Sequence, residues 1–318
     1  MREKVAIIGA GVSGSYLYRL LLNEGIKADI FDQHHETKCG INSCGWITNK
    51  HIYPLIEKLG LNPEDFILTK IDKVYIDGKE FKARYLVINK PKLLSDLRNG
   101  VKPSLSKADF SLYDRIIDAT GFSRSFLPAI SGDLICKTSQ FRLLTQNLHK
   151  TNQMLNINDI GFIWCFSLGN NMFHLGCGSF LKNPDYYLNN CECISPEDRV
   201  LCDCTSNIRI TAPYYCQPFV FNKVWGVGEA IGCVSPISGE GIVPSMKCAE
   251  LLFKNWEYPH SYTKAILREF SWMKAERHIW DKALHGRPLS IIDFFYRIKN
   301  ARRFGIKIGL KELIEEIQ

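Results

Sequence analysis

The chain has 318 residues, 46% of them hydrophobic and 23% charged, which suits one large core or two modest domains and excludes a disordered chain. No run of eighteen apolar residues occurs, so no membrane span is predicted. The opening MREKVAIIGAG enters a strand at once, without the apolar run and cleavage site of a signal peptide, so a cytoplasmic protein is expected. The formal charge is +7, and no aromatic-interleaved basic cluster marks nucleic acid as a partner.

Residues 4–9 (KVAIIG) form an apolar run that predicts a buried parallel strand. A helix is expected from Ser13 to Glu24, ended by Gly25, and residues 28–32 (ADIFD) predict a second strand. Together they make a β-α-β unit. Residues 71–89 read as two strands around Asp77-Gly78, a strong hairpin signal. A short helix over 90–99 and a strand over 114–120 returning to the first sheet are expected. Residues 160–168 and 172–179 predict a second hairpin, turning at Gly169-Asn170-Asn171. Further strands are expected at 205–212 and 224–228, then a helix over 239–255 and a helical tail.

The pattern predicts an α/β protein: a Rossmann-like domain in three segments (1–70, 90–133 and 213–258) with a mostly antiparallel β substrate domain inserted (71–89 and 134–212) and a helical C-terminal region (259–318). Gly9-Ala10-Gly11-Val12-Ser13-Gly14 fits G-x-G-x-x-G between strand and helix. The first glycine permits the tight turn, the second lets a pyrophosphate approach, and the third lets helix and strand pack closely. Asp32 ends the next strand, placed to accept hydrogen bonds from a ribose. This motif alone does not choose between NAD and FAD.

Residues 225–242 (WGVGEAIGCVSPISGEGI) resemble the G-D-A-x-G-x-x-x-P-x-x-G-E-G-I segment of flavoprotein hydroxylases and geranylgeranyl reductases, the p-hydroxybenzoate-hydroxylase-like flavoproteins. The resemblance implies FAD, with Glu229 in place of the usual aspartate on the ribityl chain. It also implies a helix starting near Gly239, Gly241 and Ile242 that aims its N-terminus at the isoalloxazine. Asp118-Ala119-Thr120-Gly121-Phe122-Ser123-Arg124 resembles the D-G-x-x-S element near the pyrophosphate, and Lys90 stands where an arginine meets FAD. Gly228 and Ser13 complete the implied cofactor set. Residues 161–167 (GFIWCFS) resemble the Y/F-x-W-x-F-P signature of geranylgeranyl reductases, which implies that Phe162, Trp164 and Phe166 line a substrate cavity; ordinary core packing is the competing reading. Cys44-Gly45 resembles the cysteine-glycine pair beside the flavin in several of these reductases, with Cys39 as a rival thiol.

Twelve cysteines point in a reducing compartment to metal or catalytic thiols before disulfides. Residues 191–204 (CECISPEDRVLCDC) pair C-x-C with C-x-C across a turn at Ser195-Pro196. On strands, i and i+2 share a face, so Cys191, Cys193, Cys202 and Cys204 are candidates for a Zn²⁺ or iron–sulfur centre. A reduced or disulfide-paired hairpin is the alternative. Residues 254–318 hold 13 Lys or Arg and 8 Asp or Glu, with apolar Phe294, Phe295, Ile298, Phe304, Ile306, Ile308, Leu310, Leu313 and Ile317. Surface helices packed on the core, or a basic amphipathic face resting on anionic lipid, fit this tail.

The leading expectation is an FAD-dependent reductase that saturates an isoprenoid chain of geranylgeranyl type, supplied with electrons by ferredoxin or NADPH. An FAD aromatic hydroxylase, a FixC-like electron-transfer flavoprotein using the cysteine cluster as a relay, and a flavin-binding protein without chemistry of its own are the alternatives.

Overall fold

The computed structural model describes residues 3–33, 44–106, 109–145, 152–157, 161–191, 193–195 and 197–308. Strand β1 (Val5–Ile8), helix α1 (Val12–Asn23) and strand β2 (Ala28–Phe31) form the expected β-α-β unit. Apolar residues at helical spacing, Tyr16, Leu17, Leu20 and Leu21, bury one side of α1. The helix ends in a Schellman arrangement: Gly25 takes φ +69°, its N–H bonds Leu22 O, and the Ile26 N–H bonds Leu21 O.

Two later segments return to this sheet. Strand β6 (Arg115–Asp118) pairs parallel with β1, and β13 (Val224–Gly226) pairs parallel with β6. The two-residue β12 (Val220–Phe221) closes the edge, giving the order β12-β13-β6-β1-β2. Helix α5 (Ile242–Lys254) packs on α1.

The larger sheet takes β3 (Ile47–Asn49), β4 (Ile67–Ile76) and β5 (Lys79–Ile88), then β7 (Ile135–Leu144), β8 (Gln153–Ile157), β9 (Gly161–Gly169), β10 (Met172–Ser179) and β11 (Arg199–Arg209). Its order is β11-β7-β10-β9-β8-β4-β5-β3, antiparallel except where β4 meets β8. Both expected hairpins are present. Asp77 and Gly78 take φ +48° and +80°, and Asn170 and Asn171 take +50° and +58°, the left-handed conformations a two-residue turn requires. Strand β11 starts six residues before the expected 205, because Cys202 and Cys204 occupy its inward slots while Asp203 faces out.

Shorter helices α2 (Tyr53–Glu57), α3 (Lys90–Leu97) and α4 (Pro184–Asn189) cap loops. The tail is helical as expected: α6 (Pro259–Glu269), α7 (Trp272–Leu284) and α8 (Ile291–Phe304). The observed class is thus α/β, with a Rossmann-like sheet, an inserted mostly antiparallel sheet and C-terminal helices.

Arg209, the last residue of β11, ties the two sheets together. Its guanidinium pairs with Asp133 (2.9 Å) and donates to Gly121 O and Phe122 O after β6 and to Glu229 O after β13. Its own N–H bonds Glu229 Oε1 at 2.7 Å. A buried guanidinium with this many partners leaves several carbonyls unsatisfied when removed. Arg209→Met is therefore expected to lower the unfolding free energy by about 3 kcal/mol in urea titrations. A loss below about 1 kcal/mol would show that the sheets are held together elsewhere.

Candidate active site

A cavity of about 990 Å³ opens where the C-terminal ends of β1, β2 and β6 meet one face of the larger sheet, the place where open α/β sheets bind ligands. Of the residues singled out in the sequence, Gly9, Gly11, Ser13, Asp32, Cys44, Lys90, Gly121, Phe162, Trp164, Phe166, Glu229, Gly239, Gly241 and Ile242 line it. Gly14 and Gly228 lie behind the wall.

The three glycines of the first turn have separable roles. A Cβ on Gly9, at φ +105°, would lie 2.2 Å from Ala119 O, and one on Gly14 would lie 2.0 Å from Gly9 O. Both must be glycine for the chain's own packing. A Cβ on Gly11 would meet nothing within 4 Å, so that backbone faces open space which a ligand can approach. Gly11 is the N-cap of α1; no side chain caps the helix and no acid sits in its first turn. This bare N-terminus is suited to an anion. A Cβ on Gly228 would lie 2.5 Å from Ser13 Oγ, so Gly228 brings the β13 loop against the start of α1.

One basic group, Arg98, was not legible in the motifs, and the two charged ends of the Asp118-to-Arg124 element do not reach the cavity. Arg98, just past α3, lines the cavity and donates to Ala10 O (3.1 Å) and Ser15 Oγ (3.0 Å), bracing the glycine turn. Asp118 is fully buried and does not reach the cavity. It accepts from the N–H groups of Thr120, Phe126 and Leu127 and from Thr120 Oγ1, which shapes the loop that presents Gly121. Arg124, at φ +44°, is likewise structural, donating to the carbonyls of Pro128, Ala230 and Pro218.

Two carboxyls in the wall are perturbed. Burial pushes Glu229 up to about 7, opposed by the Arg209 N–H and guanidinium. Glu240, inside the G-E-G of the resemblance but unassigned there, is also pushed up to about 7 by burial. Its Oε1 accepts from Val243 N (2.9 Å) and Thr48 Oγ1 (3.3 Å). Glu240 separates the main cavity from a second one of about 180 Å³. Behind that pocket, Ser235 Oγ donates to Glu276 at 2.8 Å and Asn300 Nδ2 to the same carboxyl at 2.7 Å. Burial raises Glu276 to about 7 as well.

Phe162, Trp164 and Phe166 share one face of β9, as strand periodicity predicts. They lean across β10: a Cβ on Gly176 would lie 2.1 Å from the Trp164 ring, and one on Gly178 would lie 3.0 Å from Phe162. The Trp164 indole N–H donates to Gln140 Oε1 at 3.3 Å. Trp164 and Phe166 are buried in an aromatic core cluster with Trp46, Tyr85 and Phe304, while Phe162 is half-buried. The row is both core and cavity wall.

Cys44 is half-buried at the wall. The next residues hold it there: Gly45 packs on Trp164, and Trp46 takes a left-handed φ of +57° while almost wholly buried. Such a conformation costs on the order of 1–3 kcal/mol and persists only where the surroundings enforce it. The enforcing groups are His174, edge-on to Trp46 at 4.6 Å, and the Arg142 guanidinium, 5.5 Å from the indole. Burial pushes His174 down to about 3, with a backbone hydrogen bond to Gly45 opposing, so the ring is neutral. A lone histidine on a strand carried no signal in the sequence. Cys39 lies outside the described residues.

The expected four-thiolate centre is not assembled. Cys193 packs with Cys165, Cys177 and Leu188, with Cys191 at the edge of that cluster. Cys202 and Cys204 instead sit on β11 opposite Arg142 and Gln140 of β7. The i and i+2 reading of a shared face holds for Cys202 and Cys204. However, β11 pairs with β7 and not with the segment carrying Cys191 and Cys193. Among the described residues, no group of three or more His, Cys, Asp or Glu is placed to hold a metal ion.

The buried carboxyls fix a pH dependence. Glu240 and Glu276 have folded values of about 7 against an ordinary 4.5. Between those values the folded chain binds more protons than the unfolded one, so stability falls as pH rises through this window and levels off above it. Glu240→Gln keeps an acceptor for the Val243 N–H and removes one titration. The melting temperature of this variant is expected to vary less with pH than that of wild type across the window. Parallel curves would contradict the assignment.

No protein-family model matches the chain. An uncharacterized protein of Methanocaldococcus jannaschii is 26% identical, with 78% of this chain and 82% of that protein covered. Among solved structures, the geranylgeranyl bacteriochlorophyll reductase-like protein of Thermoplasma acidophilum matches with a TM-score of 0.72 at 17% identity, over 88% of each chain. The flavin-dependent halogenase CmlS matches with a TM-score of 0.66 at 14% identity, over 99% of this chain and 70% of its own. At these identities the likeness is one of fold: the chain has the fold of the flavoproteins its motifs resemble.

Proposed function

We propose that the protein is an FAD-dependent oxidoreductase that reduces double bonds of an isoprenoid-type chain. The observation that carries this reading is a single cavity lined both by the glycine turn with Asp32 and Lys90 and by Cys44 with the aromatic row of β9. Its volume, about 990 Å³, is at the upper end for small-molecule sites and suits a dinucleotide with an apolar substrate beside it. The open space at Gly11 and the uncapped start of α1 fit a pyrophosphate.

FAD held there and reduced by an external donor, such as ferredoxin or NADPH, would supply hydride to one carbon of the double bond. The other roles fall to the chain. Asp32 accepts from ribose hydroxyls, and Glu229, fixed by the Arg209 N–H, accepts from the ribityl chain. Lys90 and Arg98 place positive charge on the wall near the phosphates. The N-terminal turn of α5, from Ile242, offers its positive dipole end to negative charge on the ring system. Phe162, Trp164 and Phe166 keep water from the substrate chain, and the Cys44 thiol, held by the Gly45-Trp46 turn, gives a proton to the second carbon. An electron-carrier reading needs the cysteine relay, which the described residues do not form.

The test is anaerobic single turnover of flavin-loaded protein with a geranylgeranyl substrate. Wild type is expected to reoxidise as the alkene is saturated. Cys44→Ala should keep FAD yet lose roughly 10²–10⁴-fold in rate, the typical contribution of a positioned proton donor. Reoxidation by oxygen or a quinone alone would reject the isoprenoid reading in favour of a hydroxylase or electron carrier. An inactive Cys39→Ala beside an active Cys44→Ala would move the role to the other thiol.

A further inference from the structure

Helix α8 carries its apolar residues in two directions. Ile298, Phe304 and, just beyond the helix, Ile306 are buried, and Phe304 lines the main cavity. The basic tail face expected from the sequence is therefore not built from these residues. Ile291, Ile292 and Phe295 point the other way and are 68%, 65% and 55% exposed, with Leu289 just before them at 43%. Four large side chains exposed within seven residues make an apolar patch on the order of a few hundred Å², the size that marks an interaction site on a soluble protein.

Along the segment that carries the patch, the exposed charge has one sign. Lys299 and Arg302 continue the Ile291–Phe295 stripe at helical spacing, and Arg287 precedes it; all three are exposed. The single acid between residues 285 and 303 is Asp293, which is buried, bonded to Ser290 as a capping box and paired with Lys282 at 2.5 Å. An apolar end followed by cations, with no exposed acid between, is complementary to an anionic lipid surface: the apolar side chains enter the headgroup boundary while the cations meet phosphates. Among the described residues no helix is long and apolar enough to cross a membrane, so contact through α8 would be peripheral.

We infer that the exposed face of α8, from Leu289 through Phe295 to Arg302, docks the protein on an anionic bilayer. The same helix ends at Phe304 on the cavity wall, thirteen residues and roughly 20 Å along its axis from Ile291. Docking there sets the cavity close to a lipid surface, from which an apolar substrate can be drawn. Binding itself does not depend on the reaction proposed above.

The test is co-sedimentation of the full chain with phosphatidylcholine vesicles, with and without phosphatidylglycerol. Wild type is expected to partition about tenfold or more in favour of the anionic vesicles and to release in high salt. Ile291→Asp with Phe295→Asp should lose about tenfold or more. Lys299→Glu with Arg302→Glu, both exposed, should lose a similar factor, with a melting curve that shows the variant folded, and it decides the matter if the first variant unfolds. Absence of binding, equal binding to neutral and anionic vesicles, or unchanged binding by the charge-reversal variant would overturn the inference. A wild-type dimer without vesicle binding, split by Phe295→Asp, would overturn it in favour of a self-interface.

Discussion

The arrangement depends on one buried guanidinium. Arg209 stands at the end of β11 and at once holds the edge of the antiparallel sheet, Asp133 ahead of β7, the loop that presents Gly121 and the loop that presents Glu229. Apolar contact between two sheets of different topology has no preferred register, and besides Arg209 the bond from Thr48 on β3 to Glu240 is a directional link between them. The directional bonds of Arg209 fix where the nucleotide side of the cavity lies relative to the aromatic side. They also place the Glu229 carboxyl, whose raised titration reflects burial only partly offset by that same arginine.

The opposite wall is held by a different device. Gly176 and Gly178 leave room on β10 for the rings of Trp164 and Phe162, and the Trp164 ring then forms the surface on which Gly45 rests. Trp46 accepts a left-handed backbone because His174 and Arg142 grip its indole. Cys44 is thus positioned by a strained turn braced by side chains of β7 and β10, far along the chain from it. Strain of this kind gathers at sites where a side chain must be aimed.

Local chemistry was readable in the sequence, and long-range placement was not. Gly9, Gly11 and Gly14 between a strand and a helix announce their own turn, and Asp77-Gly78 and Asn170-Asn171 announce theirs. Each depends on a few neighbouring dihedrals. Arg98, Glu240 and His174 gain meaning only from partners brought in by the tertiary fold: Ala10, Thr48 and Trp46. The C-x-C pairs misled for the same reason. Alternation correctly put Cys202 and Cys204 on one face, but the pairing of β11 with β7 is a property of the whole sheet. In the tail, periodicity found an amphipathic helix without saying which apolar side chains face the core. Ile298 and Phe304 do, and Ile291 and Phe295 do not.

The central claim is that the cavity between the two sheets is an FAD site entered through the open side of Gly11. Titration of apo-protein with FAD, for wild type and Gly11→Val, tests it most directly. A Cβ at this position meets no protein atom within 4 Å, and the residue sits at an ordinary negative φ, so the variant should fold, which its melting temperature checks. The account predicts one FAD bound per wild-type chain and loss of binding in the folded variant. Equal FAD binding by both proteins, or none by wild type, would contradict it.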